Sequence, residues 1–146
     1  MMGGYGRGVR LDEGGCRARV AAARVGRLAT VGADLRPHVV PVTYVVHGDE
    51  LFIGVDQKPK TTTALKRLRN IAANERVAVL VDEYDEDWTH LWWVRMDGVA
   101  RVIASDPAAV ELLVAKYPQY EDDPPRGPVI AIRADGWSGW TYRGED

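Results

Sequence analysis

GRLATVGADLRPHVVPVTYVVHGDELFIGV, residues 26–55, reads as three β-rich runs separated by turns. Arg27 to Val31 is β-like, and Gly32-Ala33-Asp34 makes a turn. Arg36 to Val46 is a long β-rich run; His47-Gly48-Asp49 turns again, and Glu50 to Val55 returns. Connections this short join antiparallel neighbours, so the stretch predicts a three-strand meander. Pro41 lacks an N–H and removes one ladder hydrogen bond, which places it at a sheet edge or an opened seam.

Working outward, Leu11 to about Val25 has the spacing of a short helix, with Asp12 as N-cap and Cys16, Val20 and Ala23 on one side. Thr61 to Ala73 is a second helix, with Leu65, Leu68 and Ala72 at helical spacing. Arg76 to Val81 is a strand, and the acidic run from Asp82 to Asp87 reads as a solvated loop. Trp88 to Ile103 is a long strand with Gly98 as its bulge. Asp106 caps a helix from Pro107 to about Lys116, since proline is tolerated in a first turn. Pro118, Pro124, Pro125 and Pro128 mark a loop. Val129 to Arg133 and Trp137 to Tyr142 follow as two strands around Asp135-Gly136. Regular strand–helix alternation is missing, which excludes a parallel nucleotide fold. The expected fold is mainly β with α, a six- to seven-stranded antiparallel split or closed barrel with peripheral helices.

The 146 residues suit one domain, here a flexible head over 1–10 and a single barrel domain over 11–146. The 46% hydrophobic and 27% charged residues are those of an ordinary globular protein. A net charge of −2 argues against nucleic acid as partner. No apolar run approaches the ~20 residues that span a bilayer, so no membrane partner is expected. The start lacks the apolar core of a signal peptide, and Cys16 is the sole cysteine; both fit a reducing cytoplasm. Neither Ser105 nor Ser138 lies in G-x-S-x-G. His38, His47 and His90 show no metal-ligand spacing, so no metal site is expected. The GYGRG head (Gly4, Gly6, Gly8) follows no strand and is not a nucleotide loop.

Between Gln57 and Asn74 lie five cations and no acid, in a chain that is acidic overall. Lys58 and Lys60 fall just before a helix whose N-terminus already carries about half a positive charge. A phosphate at this junction, held by N–H groups, threonine hydroxyls and the two lysines, accounts for the arrangement; a solvated basic face is the alternative. An opened seam at Pro41 would leave backbone groups free for a planar heterocycle, with an ordinary edge strand as the alternative. All five tryptophans lie in the C-terminal half, where they suit either a core or a subunit interface.

Residues 26–31, 36–42, Lys58-Pro59-Lys60 through Asn70-Ile71, Asp87-Trp88 with Leu91 to Arg95, and Gly136 to Trp140 together resemble the split β-barrel flavin and deazaflavin oxidoreductases. That superfamily has pyridoxamine 5′-phosphate oxidase as its namesake, and the likeness here is to its coenzyme F420-dependent branch. The resemblance covers about Leu11 to Tyr142. It implies an FMN-binding split-barrel fold and a homodimer with two coenzyme sites at the subunit interface. The strand of His38, Val40, Pro41 and Val42 would line the ring. The segment containing Val55, Gln57, Lys58, Lys60, Thr61 and Thr62 would hold the phosphate. Trp92 and Trp140 would contribute, from the partner chain where the assembly requires it. Leu35 stands where the family has a turn glycine. The implied activity is hydride transfer between reduced F420 and an unsaturated or conjugated small molecule. The alternatives are an FMN-dependent oxidoreductase and a non-catalytic coenzyme- or tetrapyrrole-binding protein. RNA binding is weaker, since no aromatic interleaves the cations of residues 58–69.

Overall fold

The computed structural model describes residues 8–55 and 62–142. Its elements are β1 (Val9–Arg10), α1 (Glu13–Ala22), β2 (Gly26–Val31), β3 (Pro37–Val42), β4 (Val45–His47), β5 (Glu50–Gly54), α2 (Thr62–Ala73), β6 (Arg76–Glu83), β7 (Trp92–Ile103), α3 (Pro107–Lys116) and β8 (Val129–Thr141). The sheet runs β3-β2-β6-β7-β8-β5-β4, with β1 on β8, and every described pairing is antiparallel. This is a curled, split barrel.

Period-2 burial builds it. Leu28, Val77, Val79, Val81, Val94, Met96, Leu51 and Ile53 point into one core with Cys16 and Val20 of α1. A second core lies where α3 covers the other face of β4, β5 and β8; Ala109, Leu113 and Tyr117 pack there on Phe52, Val129 and Ala131. The start of β8, Val129 to Ile132, is therefore buried on both faces. Both predicted caps form: Asp12 Oδ1 accepts from Gly15 N–H at 2.8 Å and Asp106 Oδ1 from Ala109 N–H at 3.1 Å.

The predicted meander is interrupted. β2 pairs β3 and β4 pairs β5, but β3 and β4 lie at opposite ends of the sheet order. The long run over 36–46 breaks at Thr43-Tyr44, because fully buried Tyr44 finds its backbone partners in α3 and the residue after it: Tyr117 Oη accepts from the Tyr44 N–H at 3.1 Å, and Lys116 Nζ donates to the Tyr44 carbonyl at 3.0 Å. Three further readings are corrected. β6 continues through Asp82 and Glu83, because these pair Trp93 and Trp92. Trp88–His90 forms a 3₁₀ turn capped by Asp87, so β7 starts at Trp92. The two C-terminal strands are one, since Asp97 opposes Gly136 and Gly98 opposes Ala134, leaving Asp135 as the extra residue of a bulge. Val9 and Arg10, assigned to the flexible head, pair Thr141 and Trp140.

Gly48 (φ +63°) is the first of two turn residues between β4 and β5, as a type II′ hairpin requires. Leu35 adopts φ +60° with an exposed side chain. The left-handed region costs a non-glycine residue roughly 1–2 kcal/mol, partly offset in a Gly variant by added unfolded-state freedom. Leu35→Gly is expected to stabilise the protein by about 0.5–1 kcal/mol, read as a higher urea midpoint at unchanged slope. A lower midpoint would refute this.

Candidate functional site

Among the described residues β3 bonds only β2 within the sheet, so its other edge takes no described strand and the barrel is split there. Pro41 sits on this edge strand, as its missing N–H demands. In the split, Val25, Pro41, Val42 and Thr43 on one side and Ile53 and Gly54 on the other line a cavity of about 330 Å³, joined by Arg67 of α2. The walls are largely apolar.

Arg67 is the chemical exception. It is half-buried, and its Nε is buried with no hydrogen-bond partner among the described residues. Burial pulls its pKa below the ordinary arginine value, yet a guanidinium stays protonated at neutral pH. An uncompensated charge edge in an apolar cavity is costly unless a ligand supplies the acceptor. The other described cations of this helix go elsewhere. Lys66 Nζ pairs Asp34 at 2.9 Å, which holds that carboxyl below its usual range with help from the Arg36 N–H. Arg69 is exposed.

The remaining expected residues divide as follows. Val42 lines the cavity, Val40 packs against the core, and His38 lies half-buried opposite Thr30 with Nδ1 buried and unpartnered. Thr30 Oγ1 accepts from Asn70 Nδ2 at 3.0 Å, which ties α2 to β2. Val55 is committed to the core, and its N–H donates to the Pro128 carbonyl. Gln57, Lys58, Lys60 and Thr61 lie outside the described residues, as does the Thr62 side chain. Within one chain Trp92 and Trp140 do not line the cavity. Trp92 Nε1 donates to Glu83 at 3.0 Å beneath the Arg19 guanidinium. Trp140 joins Arg10, Trp93 and Ser138 around a second cavity of about 280 Å³. The Tyr44 hydroxyl is buried and donates to the Val20 carbonyl, and burial raises its pKa.

Sequence reading did not single out Gly54 or Tyr120. Thr43 Oγ1 bonds Tyr120 Oη at 2.7 Å, and a Cβ at Gly54 would stand 2.9 Å from Pro125, so the 118–128 segment closes against the cavity. No local pattern announces either contact. Chemically, the cavity suits a flat, mostly apolar molecule that carries an anionic or acceptor edge.

Comparison with known proteins agrees with the fold. The sequence profile of the pyridoxamine 5′-phosphate oxidase family matches residues 13–141. A 5a,11a-dehydrotetracycline/5a,11a-dehydrooxytetracycline reductase of Streptomyces rimosus is 40% identical over 58 residues, which is 40% of this chain and 39% of that protein. The match thus spans well under half of the relative's length. Among solved structures, an FAD-binding protein from Mesorhizobium loti superposes with TM-score 0.70 at 24% identity, covering 91% of this chain and 96% of that one. A protein described as an F420 reductase gives TM-score 0.65 at 24% identity, covering 87% and 98%.

Proposed function

The chain belongs to the pyridoxamine 5′-phosphate oxidase family, and on that premise we propose that it is an oxidoreductase using coenzyme F420 to move a hydride to or from an unsaturated or conjugated small molecule. The observation that carries the reading is Arg67, whose Nε is buried with no hydrogen-bond partner among the described residues, in the apolar split beside Pro41. When bound, the coenzyme supplies the hydride chemistry. The chain's own task is to bind, orient and exclude water. Pro41 and Val42 seat the ring at the open edge of β3, with Val40 behind them on the core, and Arg67 meets negative charge inside the cavity. Lys58, Lys60, Thr61 and Thr62 hold the phosphate where α2 begins.

F420 is favoured over FMN by the number of cations between Gln57 and Asn74, which exceeds what one phosphate uses even after Lys66 is assigned to Asp34. The reductase names of the Streptomyces relative and of one structural neighbour are consistent with it. The working unit is a homodimer. Its support is the outer face of β3, β2, β6 and β7, where exposed Val39 and Leu80 stand among Arg27, Asp82, Arg95 and Asp97, a surface of both signs that a second copy can complement. Trp93 and Trp140 oppose each other across β7 and β8, beside the second cavity. None of the described helices is long and apolar enough to cross a membrane, and we assign the protein to the cytoplasm.

The test is turnover. Reduced F420 is expected to be oxidised by at least one conjugated acceptor, with reduced FMN inactive and two chains found by sedimentation. Turnover with reduced FMN alone would move the assignment to a flavin enzyme. Tight binding without any turnover would make the chain a carrier.

A further inference from the structure

Beside the split, two cations share one aromatic floor. Arg24 precedes the cavity-lining Val25, and Lys116 ends α3. Arg24 Nη1 donates to the Lys116 carbonyl at 3.1 Å, and its guanidinium lies 5.3 Å over the Tyr117 ring. Lys116 Nζ stands 4.1 Å over the Tyr44 ring and 5.2 Å over that of Tyr117, donating only to the Tyr44 carbonyl. Tyr117 Oη accepts the Tyr44 N–H and shares its proton between the carbonyls of Tyr44 (2.9 Å) and Arg24 (3.0 Å). The corner is thus fixed, and Thr43, next to Tyr44, carries it to the cavity.

No ion pair reaches this corner among the described residues: neither Arg24 nor Lys116 has an acidic partner there, whereas Arg17, Arg27, Lys66, Arg76, Arg95, Arg101 and Arg126 do. Ring faces attract a cation without cancelling its repulsion from a second one. The groups that face the Lys116 amine are Arg24 from the α1–β2 connection, Tyr44 from the β3–β4 corner and Tyr117 at the end of α3. Burial, and then Arg24, bring the amine down to about 8. The free N–H groups of both side chains remain available to an acceptor.

We propose that Arg24 and Lys116 form an anion subsite that takes a carboxylate of the ligand emerging from the split. This rests on reading the split as the coenzyme and substrate site. The carboxylate belongs either to the glutamate tail of the coenzyme or to the acceptor molecule, and two experimental arms separate these sources.

The full-length protein is compared with Arg24→Gln and Lys116→Gln. Arg24 is exposed, so its variant leaves the tyrosine corner in place even if Lys116→Gln loosens it. In the first arm, each variant is expected to bind F420 about fivefold more weakly while binding F420 stripped of its glutamates unchanged. In the second, the loss appears instead as a raised KM for a carboxylated acceptor and not for its amide. A difference in either arm supports the subsite. Equal behaviour toward carboxylated and carboxyl-free partners in both arms overturns it, while leaving the Arg67 reading intact. If the wild-type protein binds no coenzyme at all, the function reading fails. The subsite is then judged by the NMR titration of the Lys116 amine in saturating glutarate, where an upward shift supports it and no shift overturns it.

Discussion

Arg67→Gln is expected to weaken coenzyme binding by about 10- to 100-fold, the equivalent of one charge-assisted hydrogen bond of about 1.5–3 kcal/mol. The same change is expected to leave the ligand-free protein as stable as before, or more stable. In the ligand-free chain the Arg67 Nε is buried with no partner among the described residues, so removing the charge relieves a desolvation cost rather than breaking a described contact. Two opposite signs from one substitution are hard to obtain from a residue that merely packs. Fluorescence titration with F420 and thermal unfolding of the ligand-free variant read the two effects separately. Lost affinity accompanied by a large drop in melting temperature would make Arg67 a structural residue.

Gly98→Ala is expected to destabilise the fold by about 3 kcal/mol, the upper end for overpacking. A Cβ at Gly98 would stand 2.6 Å from Ile132 Cγ2 and 2.7 Å from the Arg133 carbonyl oxygen. A side chain can rotate away, but that oxygen belongs to the backbone of β8 opposite β7 and moves only with the strand. Gly136, on the other strand of the same bulge, meets only Asp97 side-chain atoms at 3.7 Å and 3.8 Å, so Gly136→Ala is expected to be near neutral. Urea denaturation of the two variants makes the comparison. Equal midpoints would contradict the bulge account.

These two positions mark how far the sequence could be read. Gly98 announced itself because a lone glycine in a long β-run has few reasons to be there, and Pro41 fixed an edge because a missing N–H is a local fact. The caps at Asp12 and Asp106 were legible for the same reason, while Leu35 stood out only against the turn glycine of the family it resembles. The break at Thr43-Tyr44 was not. Whether a β-rich run continues its ladder depends on what else offers hydrogen bonds, and here the offer comes from Tyr117 and Lys116, some seventy residues away. The division of labour in α2 was equally hidden. Consecutive helical residues point about 100° apart, but only docking decides which direction is cavity. Hence Lys66 on Asp34, Arg67 in the split and Arg69 in solvent looked alike as a run of cations.

A crystal structure of the protein with bound F420 shows whether the split between β3 and β5 holds the coenzyme. The ring is expected against the open edge of β3 at Pro41 and Val42, with Arg67 Nε donating to a ligand acceptor and Lys58 and Lys60 at the phosphate. A coenzyme lodged elsewhere, with Arg67 still unpartnered and both lysines in solvent, would contradict it.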